Sequence, residues 1–279
     1  MHGKLTELVS GNVKYNKVII SLLLPTLDIQ NDKGLCHKMG GIIFEYKNII
    51  KEKQKLYADF CQSDYHLEED VSKFLIFAND LRKKYPYVTE FDLIQYYKIL
   101  LMGQFCEEYD EVLFLDFDVI PGPNIFNFFN QFDVKKHIAI RKDIGSTDAD
   151  QDALLNASSI FRKGYIAREL LNKPNNELLS HNTGVIGISK HLYLKLNFLE
   201  ELKYILPIIN KNKFEIIQKI TGDRIEIYSN EIIFTYSQQK NNVPTIDIGY
   251  EWNSGTYDHF MFHGLHKPTL KKYFDETAN

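Results

Sequence analysis

The chain has 279 residues, 44% of them hydrophobic and 25% charged, an ordinary globular composition with room for one large α/β domain or two small ones. A formal net charge of -4 supplies no basic field, which excludes nucleic acid as an expected partner. The three cysteines, Cys36, Cys61 and Cys106, have neither CxxC pairing nor zinc-site spacing, and so sparse an odd set fits a reducing compartment.

The first residues contain no apolar signal region. Val18 to Leu24, "VIISLLL", reads as a buried strand interrupted by Ser21 and stopped by Pro25. That run is too short to cross a bilayer, so the expectation is a cytoplasmic protein with no transmembrane segment. After Gly40-Gly41, the residues Ile42, Ile43, Tyr46, Ile49, Ile50, Leu56, Tyr57 and Phe60 recur at helical spacing. "SDYHLEED" suggests a short strand and "KFLIFANDLRKKYP" a short helix closed by Pro86. Thr89 is the expected N-cap of "EFDLIQYYKILLMGQFCEEY", with Asp92 adding negative charge to the first turn.

That helix leads into "EVLFLDFDVIPGP" (111–123), an apolar strand ending in two acids. "HIAIRKD" (137–143) is the next strand, and residues 144–180 read as an inserted helical excursion. "TGVIGIS" (183–189) is a strand, followed by helical segments, the helix "NEIIFTYSQQK", and the short strands "TIDIG" and "HFMFHG". No fixed repeat and no Gly/Ser- or Pro-rich linker divides the chain. The expectation is therefore one α/β domain over 1–279, with its core at about 17–268 and a polar tail at 269–279. Its centre would be a mostly parallel sheet flanked by helices. Lys271, Lys272, Tyr273 and Phe274 in the tail could touch a membrane surface, making the protein membrane-peripheral.

Side chains two apart on a strand share a face, so an extended 112–118 would aim Asp116 and Asp118 together and turn Phe117 into the core. Two adjacent carboxylates repel unless a cation lies between them. A hard divalent ion, Mn²⁺ or Mg²⁺, satisfies both and keeps positions open for phosphate oxygens. Two acids capping a solvated strand end would give the same letters. "FMFHGLHKP" (260–268) supplies a second site: His263 can complete a carboxylate-bound metal, Gly264 admits a phosphate close to the backbone, and Lys267 offers it a charge.

With these two segments the chain resembles a glycosyltransferase of the GT-A (nucleotide-diphospho-sugar transferase) fold, a Rossmann-like sheet flanked by helices. It is most similar to glycosyltransferase family 8, the glycogenin and lipopolysaccharide galactosyltransferase group. It departs from that family's C-terminal signature in that Gly264 follows His263 directly and Thr269 stands in place of a Trp. The resemblance implies a metal held by Asp116, Asp118 and His263, with Asp118 the direct ligand and Asp116 shared between metal and ribose. It places Lys98 at the donor diphosphate or sugar, Thr26 and Asp28 of "LLLPTLD" at the uridine, and Phe117 in the donor-binding segment. Asn182 of "HNTGVIGISK" would lie near the donor sugar, and Asn230 and Glu231 of "YSNEIIFTY" beside the anomeric carbon. "GYEWNSG" (249–255) would bring an aromatic and an Asn near the active site, though Trp252 also suits a core.

The activity so implied is transfer of a sugar from a UDP-sugar to a glycan, lipid or protein acceptor, with retention at the anomeric carbon. Inversion would instead require a carboxylate base, for which Asp148, Asp150, Asp152 and Glu231 are candidates. Three alternatives use similar letters: a sugar nucleotidyltransferase, a phosphatase of the haloacid dehalogenase type, and a non-catalytic nucleotide-sugar-binding protein.

Overall fold

The computed structural model describes residues 15–24, 44–122, 125–145, 167, 170–172, 178–208, 229–253, 260–263 and 274. Six strands form the central sheet: β1 (Lys17–Leu22), β2 (Asp64–Glu68), β3 (Glu111–Asp116), β5 (Ile138–Gly145), β6 (Leu178–Ser189) and β7 (Thr245–Asp247). Their spatial order is β2-β1-β3-β6-β5-β7. β1 runs parallel to both β2 and β3, and β5 runs parallel to β7. Among the described strands of this sheet only β6 is reversed, antiparallel to β3 on one side and β5 on the other. The α/β class with a mostly parallel sheet flanked by helices is therefore the one observed. A separate ribbon pairs β4 (Val119–Pro121) with β8 (Met261–His263), antiparallel.

The strands alternate their apolar residues between two faces, as the two-residue period requires. Val18, Ile20, Val112, Phe114, Ile138, Ile140, Ile186 and Ile188 bury one face. Four helices cover it: α2 (Val71–Lys84), α3 (Glu90–Phe105), α5 (Lys190–Leu196) and α6 (Ser229–Lys240). Residues 198–208, also helical, add Phe198, Leu202, Ile205 and Leu206. The opposite face, with Ile19, Leu113, Leu115, Ala139 and Val185, packs on Tyr57 and Ala58 of α1 (Lys47–Phe60), Phe128 of α4 (Phe128–Gln131), Trp252 and Met261. Trp252 is thus a core residue, its ring 5.3 Å from those of Phe128, Phe132 and Phe260.

Most elements fall where periodicity predicts them, and two differences are informative. β6 begins at Leu178, five residues ahead of the expected start at Thr183, so the end of the expected helical excursion is strand. The strand after the two acids, β4, is not legible as a strand because Pro121 and its length of three residues carry no period. Ser21, the polar interruption in β1, is fully buried and donates from Oγ to the carbonyl of Leu115 at 2.8 Å, which satisfies its hydroxyl across the β1–β3 pair.

Gly187 faces Leu113 and Ala139 across the two neighbouring strands, and its lack of a side chain admits the Phe128 ring. A Cβ at position 187 would overlap that ring and stand 2.8 Å from Val134 Cγ1. Gly187→Val should therefore lower unfolding free energy by about 1–3 kcal/mol through overpacking. Urea unfolding would register this as a lower midpoint at unchanged slope, and an unshifted midpoint would contradict the packing.

Candidate functional site

β3 is buried from Glu111 to Leu115 and ends at Asp116, whose side chain is 24% exposed. Asp116 pairs in register with Leu22 at the end of β1, and Leu115 pairs with Val185 of β6. The chain passes from β1 outward to β2, then returns to the other side of β1 as β3. Asp116 therefore ends a strand at the point where the winding reverses, the crevice in which open α/β sheets bind ligands. Leu23 and Leu24, which continue β1 toward Pro25, are buried at the same edge.

The strand does not stay extended through Asp118, as simple alternation would require. Phe117 and Asp118 form a turn, and the chain leaves the main sheet to become β4. Phe117 packs its ring with Leu23, Ile50, Ile120 and Phe274, so the ring belongs to a small apolar cluster beside the turn. Asp118 is buried, at 8% exposure. In the β4–β8 ribbon His263 is the backbone partner of Val119, the residue after Asp118. Two segments far apart in sequence thus meet at the turn, through the backbone of His263.

Lys98 comes to this site from below the sheet. Its helix, α3, starts with a capping box in which Thr89 Oγ1 accepts from the Asp92 N–H at 3.1 Å and the Asp92 carboxylate accepts from the Thr89 N–H at 3.4 Å, with the Thr89 hydroxyl donating to the same carboxylate at 2.7 Å. The helix then packs Leu93, Tyr96, Tyr97, Ile99 and Met102 into the core. Lys98, 2% exposed, donates to Asp116 Oδ1 at 3.0 Å, and its ammonium lies 5.6 Å from the centre of the Phe114 ring. A buried ammonium needs a partner, and Asp116 provides it. The family resemblance places Lys98 at the donor diphosphate or sugar. In the structure its partner is the first acid of the pair.

A second polar group gathers where β6 bulges. Ile186 faces Ile140, but the next residue of β5, Arg141, faces Asn182, so Thr183, Gly184 and Val185 are looped out of that pairing. Asn182 Oδ1 accepts from the Gly184 N–H at 3.0 Å and from Asn253 Nδ2 at 2.7 Å. Arg141 donates to the Asn253 carbonyl at 2.7 Å and lies over the Tyr250 ring. From α6, Asn230 Nδ2 donates to Thr183 Oγ1 at 2.7 Å, and Glu231 Oε1 accepts from the Thr183 N–H at 3.4 Å. Asn230 and Glu231 are both buried, and Asn230 Oδ1 has no partner among the described residues. Asn182, Asn230 and Glu231 are therefore brought together around Thr183, close along β6 to Val185, the residue that pairs with the end of β3. Arg141 and Thr183 carried no sequence signal. Arg141 lay in an ordinary strand pattern, and Thr183 looked like the first residue of one.

Thr26, Asp28, Gly264 and Lys267 lie outside the described residues, as do Asp148, Asp150 and Asp152. Among the described residues no three His, Cys, Asp or Glu side chains converge closely enough to hold a metal ion. The donor set nevertheless suits a hard cation. Lys98 offsets one charge of the Asp116 and Asp118 pair, and a divalent ion would bring the four charges to +1, ready for an anionic ligand. No helix of the described residues is long and apolar enough to cross a membrane.

No protein-family model matches the chain, and no curated protein matches it. Among solved structures, the chain is similar to the crystal structure of a glycosyltransferase involved in the glycosylation of the major capsid of PBCV-1. The identity is 14% over 94% of this chain and 99% of that chain, with a TM-score of 0.48.

His181, beside Asn182, is fully buried, with Nδ1 3.0 Å from Thr235 Oγ1. Burial, reinforced by the charge of Lys142, pushes its pKa from 6.5 down to about 3. An unfolded chain takes up a proton near pH 6.5 that the folded one refuses until near pH 3, so this group's stability is complete above pH 6.5 and declines as pH falls. The loss at pH 5 is about 2 kcal/mol at 1.36 kcal/mol per unit. His181→Asn should shrink the wild-type difference in unfolding free energy between pH 7 and pH 5 by about that amount. An unchanged difference would show that His181 is not held neutral.

Proposed function

We propose that this chain is a metal-dependent glycosyltransferase of the GT-A type, moving a sugar from a nucleotide-sugar, a UDP-sugar, to a glycan, lipid or protein acceptor. The observation that carries the reading is the meeting of the Asp116-Phe117-Asp118 turn with the backbone of His263 at the ligand-binding edge of the sheet. This pairing supports the reading because it sets the segment that carries His263 beside the two acids.

In this reading Asp118, Asp116 and His263 hold Mn²⁺ or Mg²⁺, which supplies Lewis-acid stabilisation of the departing diphosphate. Lys98 fixes Asp116 and adds positive charge beneath it, so the site's field favours an anionic leaving group. The Phe117 ring anchors the turn in its apolar cluster while the turn's polar edge meets the donor. Thr26 and Asp28, issuing from the buried end of β1, bind the nucleoside, and Gly264 and Lys267, following β8, bind the phosphates. Asn182 meets the donor sugar. Asn230 presents its buried, open Oδ1 on the side of the β6 bulge, and Glu231 orders Thr183 beside it. The transfer proceeds with retention, by a front-face attack that requires no protein nucleophile.

Thermal-shift measurement with UDP, with and without Mn²⁺, tests the proposal. At a hundredfold excess over Kd the nucleotide should stabilise the wild type by about 2.7 kcal/mol, several degrees in Tm, only when Mn²⁺ is present. Asp118→Asn and His263→Ala should each abolish that shift while melting cooperatively on their own. Retention of the full shift by both variants would overturn the metal assignment. Asp116-dependent hydrolysis of a phosphate monoester, without any nucleotide-sugar binding, would favour the phosphatase alternative.

A further inference from the structure

Helix α1 turns two polar side chains into the core. Gln54 and Tyr57 are three residues apart and so share a face, and Gln54 is 0% exposed. Its Nε2 donates to the carbonyl of Val119 at 2.9 Å and lies 3.4 Å from the carbonyls of both Asp116 and Phe117. Its Oε1 accepts the hydroxyl of Tyr65, from β2, at 2.9 Å. Tyr57 donates to the carbonyl of Phe126 at 2.9 Å and accepts from the Phe128 N–H at 3.1 Å. These backbone partners all belong to residues 116–128, the segment that runs from the acidic turn through β4 to the start of α4.

The orientation of the Gln54 amide is forced. Turned over, it would set an oxygen against three carbonyl oxygens and leave the Tyr65 hydroxyl without its acceptor. Burial, with the charge of Glu69 added, pushes the Tyr65 phenol well above its ordinary pKa, so it stays a donor. An apolar side chain of similar length would fill the same space. It could not supply a donor for the three carbonyls that converge where the chain turns from the β3 ladder into the β4–β8 ribbon.

We propose that Gln54, oriented by Tyr65, is the positioning residue of the candidate metal site. Its amide fixes the backbone from Asp116 to Val119 and thereby the spacing and aim of the two carboxylates. The inference rests on the metal–donor reading and extends it to residues that touch neither metal nor nucleotide. Partners that orient metal ligands are worth about 10–100-fold in metal affinity when removed.

The experiment counts free Mn²⁺ by electron paramagnetic resonance during titration of the full chain with Mn²⁺ in the presence of UDP. Wild type should bind one Mn²⁺ per chain. Gln54→Met keeps the volume and removes the donor, and should weaken Mn²⁺ about tenfold or more in protein that retains its circular dichroism and a cooperative melt. Tyr65→Phe removes only the orienting hydroxyl and should weaken Mn²⁺ to a smaller but measurable degree. A purely structural Gln54 would lower Tm and leave the Mn²⁺ affinity of the folded protein unchanged, and that result overturns the inference. Should Gln54→Met fail to fold, Tyr65→Phe decides, and wild-type affinity in that variant overturns it equally. A wild type that binds no Mn²⁺ with UDP instead overturns the reading beneath the inference.

Discussion

The ion pair between Lys98 and Asp116 is what allows a fully buried strand to end in acid. Val112 to Leu115 are completely or almost completely hidden, and the next residue is a carboxylate. Left alone at the edge of that core, its charge would lack a partner to offset the water it loses. The Lys98 ammonium reaches it from a helix whose remaining inner residues are mostly apolar, and the nearby Phe114 ring gives that ammonium a second favourable contact. The pair requires α3 to lie under β3 in one register. The Thr89 capping box fixes where that helix starts, and the packing of Tyr96, Ile99 and Met102 fixes its rotation. Helix start, helix rotation and strand end are one coupled arrangement, and the Lys98–Asp116 pair depends on all three.

Asp116 was legible in the sequence because it combines two strong signals, an apolar run and an abrupt acid. The environment of that acid was not. Lys98 reads as one Lys on a helix, and no local pattern says which way a long side chain points when tertiary packing buries it. Gln54 is harder still. Mid-helix glutamine is common on solvated faces, and only the folded chain reveals that α1 turns this one inward. The early start of β6 was hidden because Ser180, His181 and Asn182 have weak strand propensity, and their burial is secured by partners distant in sequence, such as Thr235 and Asn253. The turn at Phe117-Asp118 escaped because alternation over a short segment cannot separate an extended strand from one that bends.

The ribbon of β4 and β8 answers a topological need. His263 belongs to a strand outside the main sheet, whose order runs from β2 to β7. Pairing with β4 brings it to the acidic turn through the backbone. The same ribbon seats Met261 and Phe260 against Trp252, so the aromatic core and the candidate site share a support. Sequence distance then ceases to matter for how the two halves of the site are spaced.

The reversal of β6 has a further consequence. Because it runs antiparallel to β5, its first residues lie at the same sheet edge where β5 ends. The stretch between Gly145 and Leu178 therefore leaves and re-enters the fold on the rim of the candidate site, with both anchor points in adjacent, paired strands. Closing a connection between fixed neighbours grows costly only slowly with its length. Within that stretch, however, Ala167 is fully buried and Leu170 and Leu171 pack against the larger core cluster, so a change in its length is cheap only where it spares those three anchors.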